Sequence, residues 1–166
     1  MNKLFSLLSL LFMMACTGGY SFVGGDVGDA KTISIGFFPN NADLIKPQLS
    51  QTFTETLRDI FVQQTPLELT QSGGDMQIEG SIIRYTIEPI NAQANAQANV
   101  AQNRLTIEVN VIFTNMVEPD KSFEQRFSRF DDFDASQDIS AVEDELHEKL
   151  SQELAENILN RAIVNW

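Results

Sequence analysis

The sequence predicts an α+β fold, with two helices packed on one face of a mainly antiparallel four- to five-stranded sheet in the order β-α-β-β-β-α. Three observations predict it. Leu105, Ile107, Val109, Val111 and Phe113 alternate with polar neighbours, the two-residue period of a strand with one apolar face. Leu49, Phe53, Leu57, Ile60 and Phe61 recur at helical spacing and form one stripe. Val142, Leu146, Leu150, Leu154, Ile158 and Ala162 repeat at steps of four over a longer stretch. Helices with one apolar stripe and a strand with one apolar face must bury those surfaces against one another, which makes two layers.

The elements follow in order. Thr32–Phe38 is rich in β-formers and stops at the turn residues Pro39-Asn40-Asn41. Pro47 suits the first turn of a helix, where its missing N–H costs nothing, and Thr65-Pro66 breaks that helix after about Gln63. Leu67 and Leu69 alternate with Glu68 and Thr70, a short strand before the Ser72-Gly73-Gly74 turn. Met76–Ile87 is a longer strand with a fault in its pattern. Met76, Ile78 and Ile82 share one face, whereas Ile83, Tyr85 and Ile87 lie on the other, so a bulge or bend near Gly80 is expected. In Asn103–Asn115 the face opposite the apolar one carries Arg104, Thr106, Glu108 and Asn110 and meets water or a partner. Glu118-Pro119-Asp120 turns the chain, and Ser122–Phe130 returns beside it as an antiparallel hairpin. Ser140 with Glu143 three residues on reads as a capping box, opening a helix from about Ala141 to Val164.

The beginning of the chain stands apart from this domain. Lys3 precedes the apolar run Leu4–Ala15, which is too short for a bilayer core needing about 20 helical residues and has the length of a signal-peptide core. The run ends at Ala15-Cys16, a small residue before the only cysteine, as a lipoprotein signal peptidase requires. Residues 1–15 are therefore read as a signal peptide, 16–30 as a lipidated Cys16 with a glycine-rich tether, and 31–166 as a single domain. A buried or exposed thiol that happens to follow an apolar segment is the plainer alternative. One acyl chain anchors marginally, at about 0.8 kcal/mol per buried methylene, and a lipoprotein cysteine carries more than one. Thr17-Gly18-Gly19 has no acidic residue, which resembles the outer-membrane pattern rather than inner-membrane retention and implies a periplasm-facing anchor.

Charge and the rare residues exclude several functions. Eleven Lys and Arg against 23 Asp and Glu give a formal charge of −12, which opposes binding to the nucleic-acid backbone. One cysteine and one histidine leave no intrachain disulfide, no thiolate metal cluster and few dyads, and no cofactor is implied. His147 is expected as a solvated helix residue beside Asp144 and Glu148, and neither Ser50 nor Ser128 has the setting of a nucleophile. No catalytic residue is assigned. Asp132, Asp134, Ser136, Asp138 and Glu143 fall at positions 1, 3, 5, 7 and 12 of a calcium loop, but Gln137 stands where that loop needs glycine. Arg84, Arg104, Arg126 and Arg129 lie on the strand half and could form a basic strip for phosphate or carboxylate, or could pair with surface acids. Gln97 sits in the uncharged, repetitive segment Asn91–Asn103, which reads as a loop joining two strands.

Cys16 with Tyr20-Ser21-Phe22, then Leu49-Ser50-Gln51, Thr54-Glu55, Leu57, Asn103-Arg104-Leu105-Thr106-Ile107, Phe127-Ser128 and Asn165-Trp166 resemble the Bacteroidota branch of the LptE lipopolysaccharide-assembly lipoproteins. The resemblance covers nearly the whole chain after Ala15. It implies an α+β domain docked inside the LptD β-barrel, where it plugs the lumen, assists barrel assembly and engages lipopolysaccharide, without turnover chemistry. On that view the four arginines and Gln97 are candidate contacts for barrel or lipopolysaccharide. The alternative is a stand-alone periplasmic lipoprotein that binds a small ligand or glycan and does not co-purify with a barrel.

Overall fold

The computed structural model describes residues 26–90 and 101–163. Its strands are β1 (Thr32–Ile35), β2 (Glu68–Thr70), β3 (Met76–Ile90), β4 (Gln102–Asn115) and β5 (Phe123–Asp134), and its helices are α1 (Pro47–Gln64) and α2 (Ile139–Ile163). The strands form one sheet in the order β2-β1-β3-β4-β5. β3, β4 and β5 are antiparallel neighbours, whereas β1 pairs in parallel with both β2 and β3. The sheet is therefore mixed and holds the larger of the expected strand numbers. The parallel part follows from connectivity: α1 carries the chain back from the end of β1, so β2 starts in the same direction.

The segment from Gln71 to Asp75 then crosses β1 to reach β3. Gly74 lies so flat on β1 that a Cβ would come within 2.7 Å of the Ile33 carbonyl carbon and 2.6 Å of the Ser34 nitrogen. Its N–H donates to Ser34 Oγ (3.4 Å), and this crossing buries Ser34 although the residue points away from the helices.

Both helices pack on the other face. Leu49, Phe53, Leu57 and Phe61 of α1 and Leu150, Leu154 and Ile158 of α2 join Ile33, Ile78, Ile82, Leu105, Ile107, Val109 and Val111 in one buried cluster. The alternation read in β4 is the inner wall of this core. Its opposite face is less wet than expected at one point, because Glu108 is only 9% exposed.

The fault in β3 is a bulge. Pairing with β4 runs Ile82↔Val109 and then Arg84↔Glu108, leaving Ile83 as the extra residue three positions beyond Gly80. Met76, Ile78 and Ile82 thus face inward before it and Tyr85 after it. Gly80 has a different duty. A Cβ there would lie 2.1 Å from the Asn110 carbonyl oxygen and 2.6 Å from Phe38 Cε1, so the neighbouring strand and an aromatic ring both need the space.

The second helix starts earlier than the capping-box reading. Asp138 Oδ1 accepts from the Ser140 N–H (3.0 Å) and from the Ser140 hydroxyl (2.9 Å), so Asp138 is the cap and α2 opens at Ile139. A carboxylate satisfies the positive helix end better than a neutral hydroxyl does. Glu143 is thereby released from capping and turns elsewhere.

Candidate functional site

The face of β3, β4 and β5 away from the helices carries polar rungs set by the register. They are Ser81–Asn110–Arg126, Arg84–Glu108–Ser128, Thr86–Thr106–Phe130 and Glu88–Arg104–Asp132. Three of the four singled-out arginines stand on this face. Arg129, one residue out of phase, points to the helix side, where it donates to Asn157 Oδ1 (2.7 Å) and lies 3.8 Å from Glu153. The four therefore do not make one basic strip.

Nor are the remaining three equally available. Arg104 clamps Asp132 through two hydrogen bonds of 2.7 and 2.9 Å, and its guanidinium stacks 3.7 Å from the Phe130 ring centroid. The hydrogen bonds raise the Arg104 pKa and lower that of Asp132. Arg84 Nη1 meets Glu108 Oε2 at 3.1 Å while its side chain remains 58% exposed. Arg126 is exposed and carries no ion pair among the described residues. The face is thus a hydrogen-bonding wall with more acids than arginines, since Glu79 and Glu124 flank the exposed Ile112 one rung beyond Arg126.

A second polar cluster lies under the helices. His147, expected in solvent, is 3% exposed. Its Nε2 is 3.2 Å from Tyr85 Oη, which donates to Glu143 Oε1 (2.7 Å), and Lys46 Nζ reaches the same oxygen at 2.7 Å. Because the phenolic hydrogen serves Glu143, Tyr85 can only accept from His147, which assigns the Nε2–H tautomer and leaves Nδ1 bare. Burial lowers the His147 pKa, against the opposing carboxylates of Glu143 and Asp144. Burial and then the Glu143 hydrogen bond raise the Tyr85 pKa. Burial would also raise Glu143, but Lys46 and Tyr85 outweigh it and the pKa falls. Among the described residues the imidazole meets Tyr85 and the phenol serves Glu143, and together with Lys46 they clasp the start of α1, β3 and α2. The missed signal is a second row on α2, His147, Ser151, Ala155 and Leu159, at the same four-residue step as the main stripe.

The calcium-loop acids disperse to separate tasks. Asp132 holds Arg104, Asp134 accepts from the Ser136 N–H (2.8 Å), Asp138 caps α2 and Glu143 joins the clasp. Among the described residues no group of three or more His, Cys, Asp or Glu could hold a metal ion. A recess of about 250 Å³ lies at the β2 edge, lined by Ile35, Arg58, Leu69, Thr70 and Gln71. It is smaller than usual ligand pockets of roughly 300–1,000 Å³, and Arg58 within it already donates to the Ile35 carbonyl at 2.8 Å. Cys16 and Gln97 lie outside the described residues.

Comparison with known proteins adds to this geometry. A family model described as "LptE: Lipopolysaccharide-assembly" matches residues 30–162. No curated protein matches the chain. Among solved structures, a minor lipoprotein from Acinetobacter baumannii superposes with a TM-score of 0.53 at 11% identity, covering 80% of this chain and 91% of that one. A protein described as a homolog of a neuraminyllactose-binding hemagglutinin from Helicobacter pylori gives 0.52 at 11% identity, covering 83% and 87%. A hypothetical protein from Chlamydia trachomatis gives 0.50 at 10% identity, covering 82% and 99%. At these identities the structures show a shared fold alone.

Proposed function

The chain belongs to the LptE lipopolysaccharide-assembly family, a non-enzymatic one, and on that premise we propose that it is a lipid-anchored outer-membrane protein whose open sheet face docks inside an LptD-type β-barrel. The observation that carries the reading is the polar ladder of β3, β4 and β5, on the face away from both helices. Large barrels have a polar interior, so a plug needs a wide, flat, hydrogen-bonding surface rather than an apolar patch. The rungs supply one in which Arg84–Glu108 and Arg104–Asp132 would enter a partner surface as pairs rather than as lone charges. Residues 16–166 have a radius of gyration near 15 Å by the usual scaling, so only a large barrel would hold them. Lipopolysaccharide contact, in this reading, is local and runs through Arg126 and the exposed side of Arg84. The acidic whole offers an anionic lipid no long-range attraction.

A photo-crosslinker at Arg126 or Gln97 should capture a barrel protein in intact cells, and one at Glu148, exposed on α2, should do so far less. Cys16→Ser should abolish lipid incorporation and leave an uncleaved or soluble protein. A protein that purifies alone from gentle detergent and crosslinks to no barrel from any of these positions would instead be the small-ligand lipoprotein.

A further inference from the structure

Met116 and Val117 follow β4 directly and stand 62% and 40% exposed. The turn that presents them is rigid. Buried Asn115 accepts through Oδ1 from the Val117 N–H (3.0 Å) and the Glu118 N–H (2.8 Å), and the Met116 N–H donates to the Asp75 carbonyl (2.8 Å). With its backbone tied down in this way, the turn cannot fold the two apolar side chains back into the core.

The same end of the molecule receives the chain from the N-terminus. Asp26, the first described residue, lies 3.7 Å from Lys121 Nζ, and its N–H donates to the Ile163 carbonyl (2.8 Å). Lys121 also binds Glu118, the residue after Val117, at 2.8 Å. Ten residues separate Asp26 from Cys16, a reach of at most about 35 Å. Read as a glycine-rich tether, ten residues have a root-mean-square span of about 15–20 Å, so an acylated Cys16 favours this end over the far end of the β3–β4 hairpin next to the bilayer.

We propose that the Met116–Val117 turn rests on the lipid surface that holds the Cys16 anchor, with the far end of the β3–β4 hairpin directed away from that lipid. The inference rests on the lipidation reading above. Two apolar side chains make a weak interfacial contact by themselves, but a short tether converts it into an intramolecular one at high effective concentration. Asp26, Glu118 and Asp120 outnumber Lys121 around the turn, so the surface that suits it is zwitterionic rather than anionic.

Acylation of Cys16 removes the only native thiol, so a new cysteine can be labelled without competition. The full lipidated chain, as Met116→Cys or as Glu88→Cys, would be labelled with bimane and reconstituted in phosphatidylcholine vesicles containing spin-labelled lipid. Glu88 is exposed and lies twelve residues along β3 from Met76, roughly 40 Å away. Flotation of both labelled proteins with the vesicles is checked first, because loss of flotation means that the anchor reading itself has failed. Given flotation, label at position 116 should be quenched at least about twofold more than label at 88, as expected for an interfacial site. In a second variant, Val117→Ser added to Met116→Cys should weaken that quenching. Equal quenching at the two positions overturns the proposal. So does a photo-crosslinker at Val117 that captures a barrel protein instead of lipid.

Discussion

His147 is the residue where position and chemistry pull hardest against each other. Burial holds its imidazole neutral, with Tyr85, Glu143, Lys46 and Asp144 as the charged or titratable groups around it. Its folded pKa lies below the ordinary value of about 6.5, so the unfolded chain binds more protons as pH falls below that value. Stability contributed at this site is thus present at neutral pH and is lost as pH drops from about 6.5 toward the folded pKa. His147→Gln, which can keep a donor toward Tyr85, should flatten the fall in urea midpoint between pH 7 and 5.5. An unchanged slope would assign the pH dependence to other groups. β4 offers a second test at the same scale. Val109→Asp places an unpaired charge in the core and should cost several kcal/mol. On alternation alone, Glu108→Lys on the open face would be nearly neutral, but Glu108 is nearly buried against Arg84. Because Arg84 is itself largely exposed, a loss of only about 1 kcal/mol is expected, and Arg84→Glu in the same chain should restore part of it.

Individual elements show how far local pattern carries and where it stops. α1 was legible to within a residue because its stripe, its Pro47 start and its Thr65-Pro66 end all act locally. β4 was legible because both its neighbours are antiparallel and one face alone is apolar. The bulge in β3 was visible as a change of face, but its position at Ile83 depends on the register with β4, which sequence does not encode locally. The α2 cap was misplaced because Ser140 fits the capping box with Glu143, whereas Asp138 is marked only as a favoured cap residue, and the hydrogen bonds decide for Asp138. His147 escaped for a similar reason. Its row becomes core only because α2 also packs against α1 and β3, a tertiary fact. Gly80→Ala is the sharp test of this element. The new Cβ would strike the Asn110 carbonyl, which belongs to the adjacent strand and cannot swing aside, so a loss of about 2–4 kcal/mol is expected in chemical denaturation. Gly73→Ala, where a Cβ meets nothing within 4 Å but φ is +69°, should cost only about 1 kcal/mol. Equal losses would mean that strand packing at Gly80 relaxes freely.

For the whole molecule, sequence reached the two-layer class and not the strand order. Placing β1 between β2 and β3 requires the Gln71–Asp75 crossing, and that depends on Gly74 lying against Ser34 rather than on any hydrophobic period. Asp75 then fixes the crossing, because its Oδ2 accepts from the Lys31 and Thr32 N–H groups and from the Thr32 hydroxyl, at 2.9, 3.0 and 3.0 Å. These bonds hold its carboxyl below the usual range, so they persist at neutral pH and fail only in acid. Such long-range closure predicts that the domain folds from Asp26 onward. Val27 packs on the core, and the Asp26 N–H bonds to Ile163 at the end of α2. Anchoring and folding should then be separable. A fragment spanning residues 26–166, without lipid, should unfold cooperatively with a stability within about 0.5 kcal/mol of the lipidated chain in detergent, the range of changes that touch no packed feature. Circular dichroism and urea titration of the two forms would measure this. A larger difference would place part of the Tyr20–Val23 stretch against the domain, and the tether would then have to be counted as structure rather than as a leash.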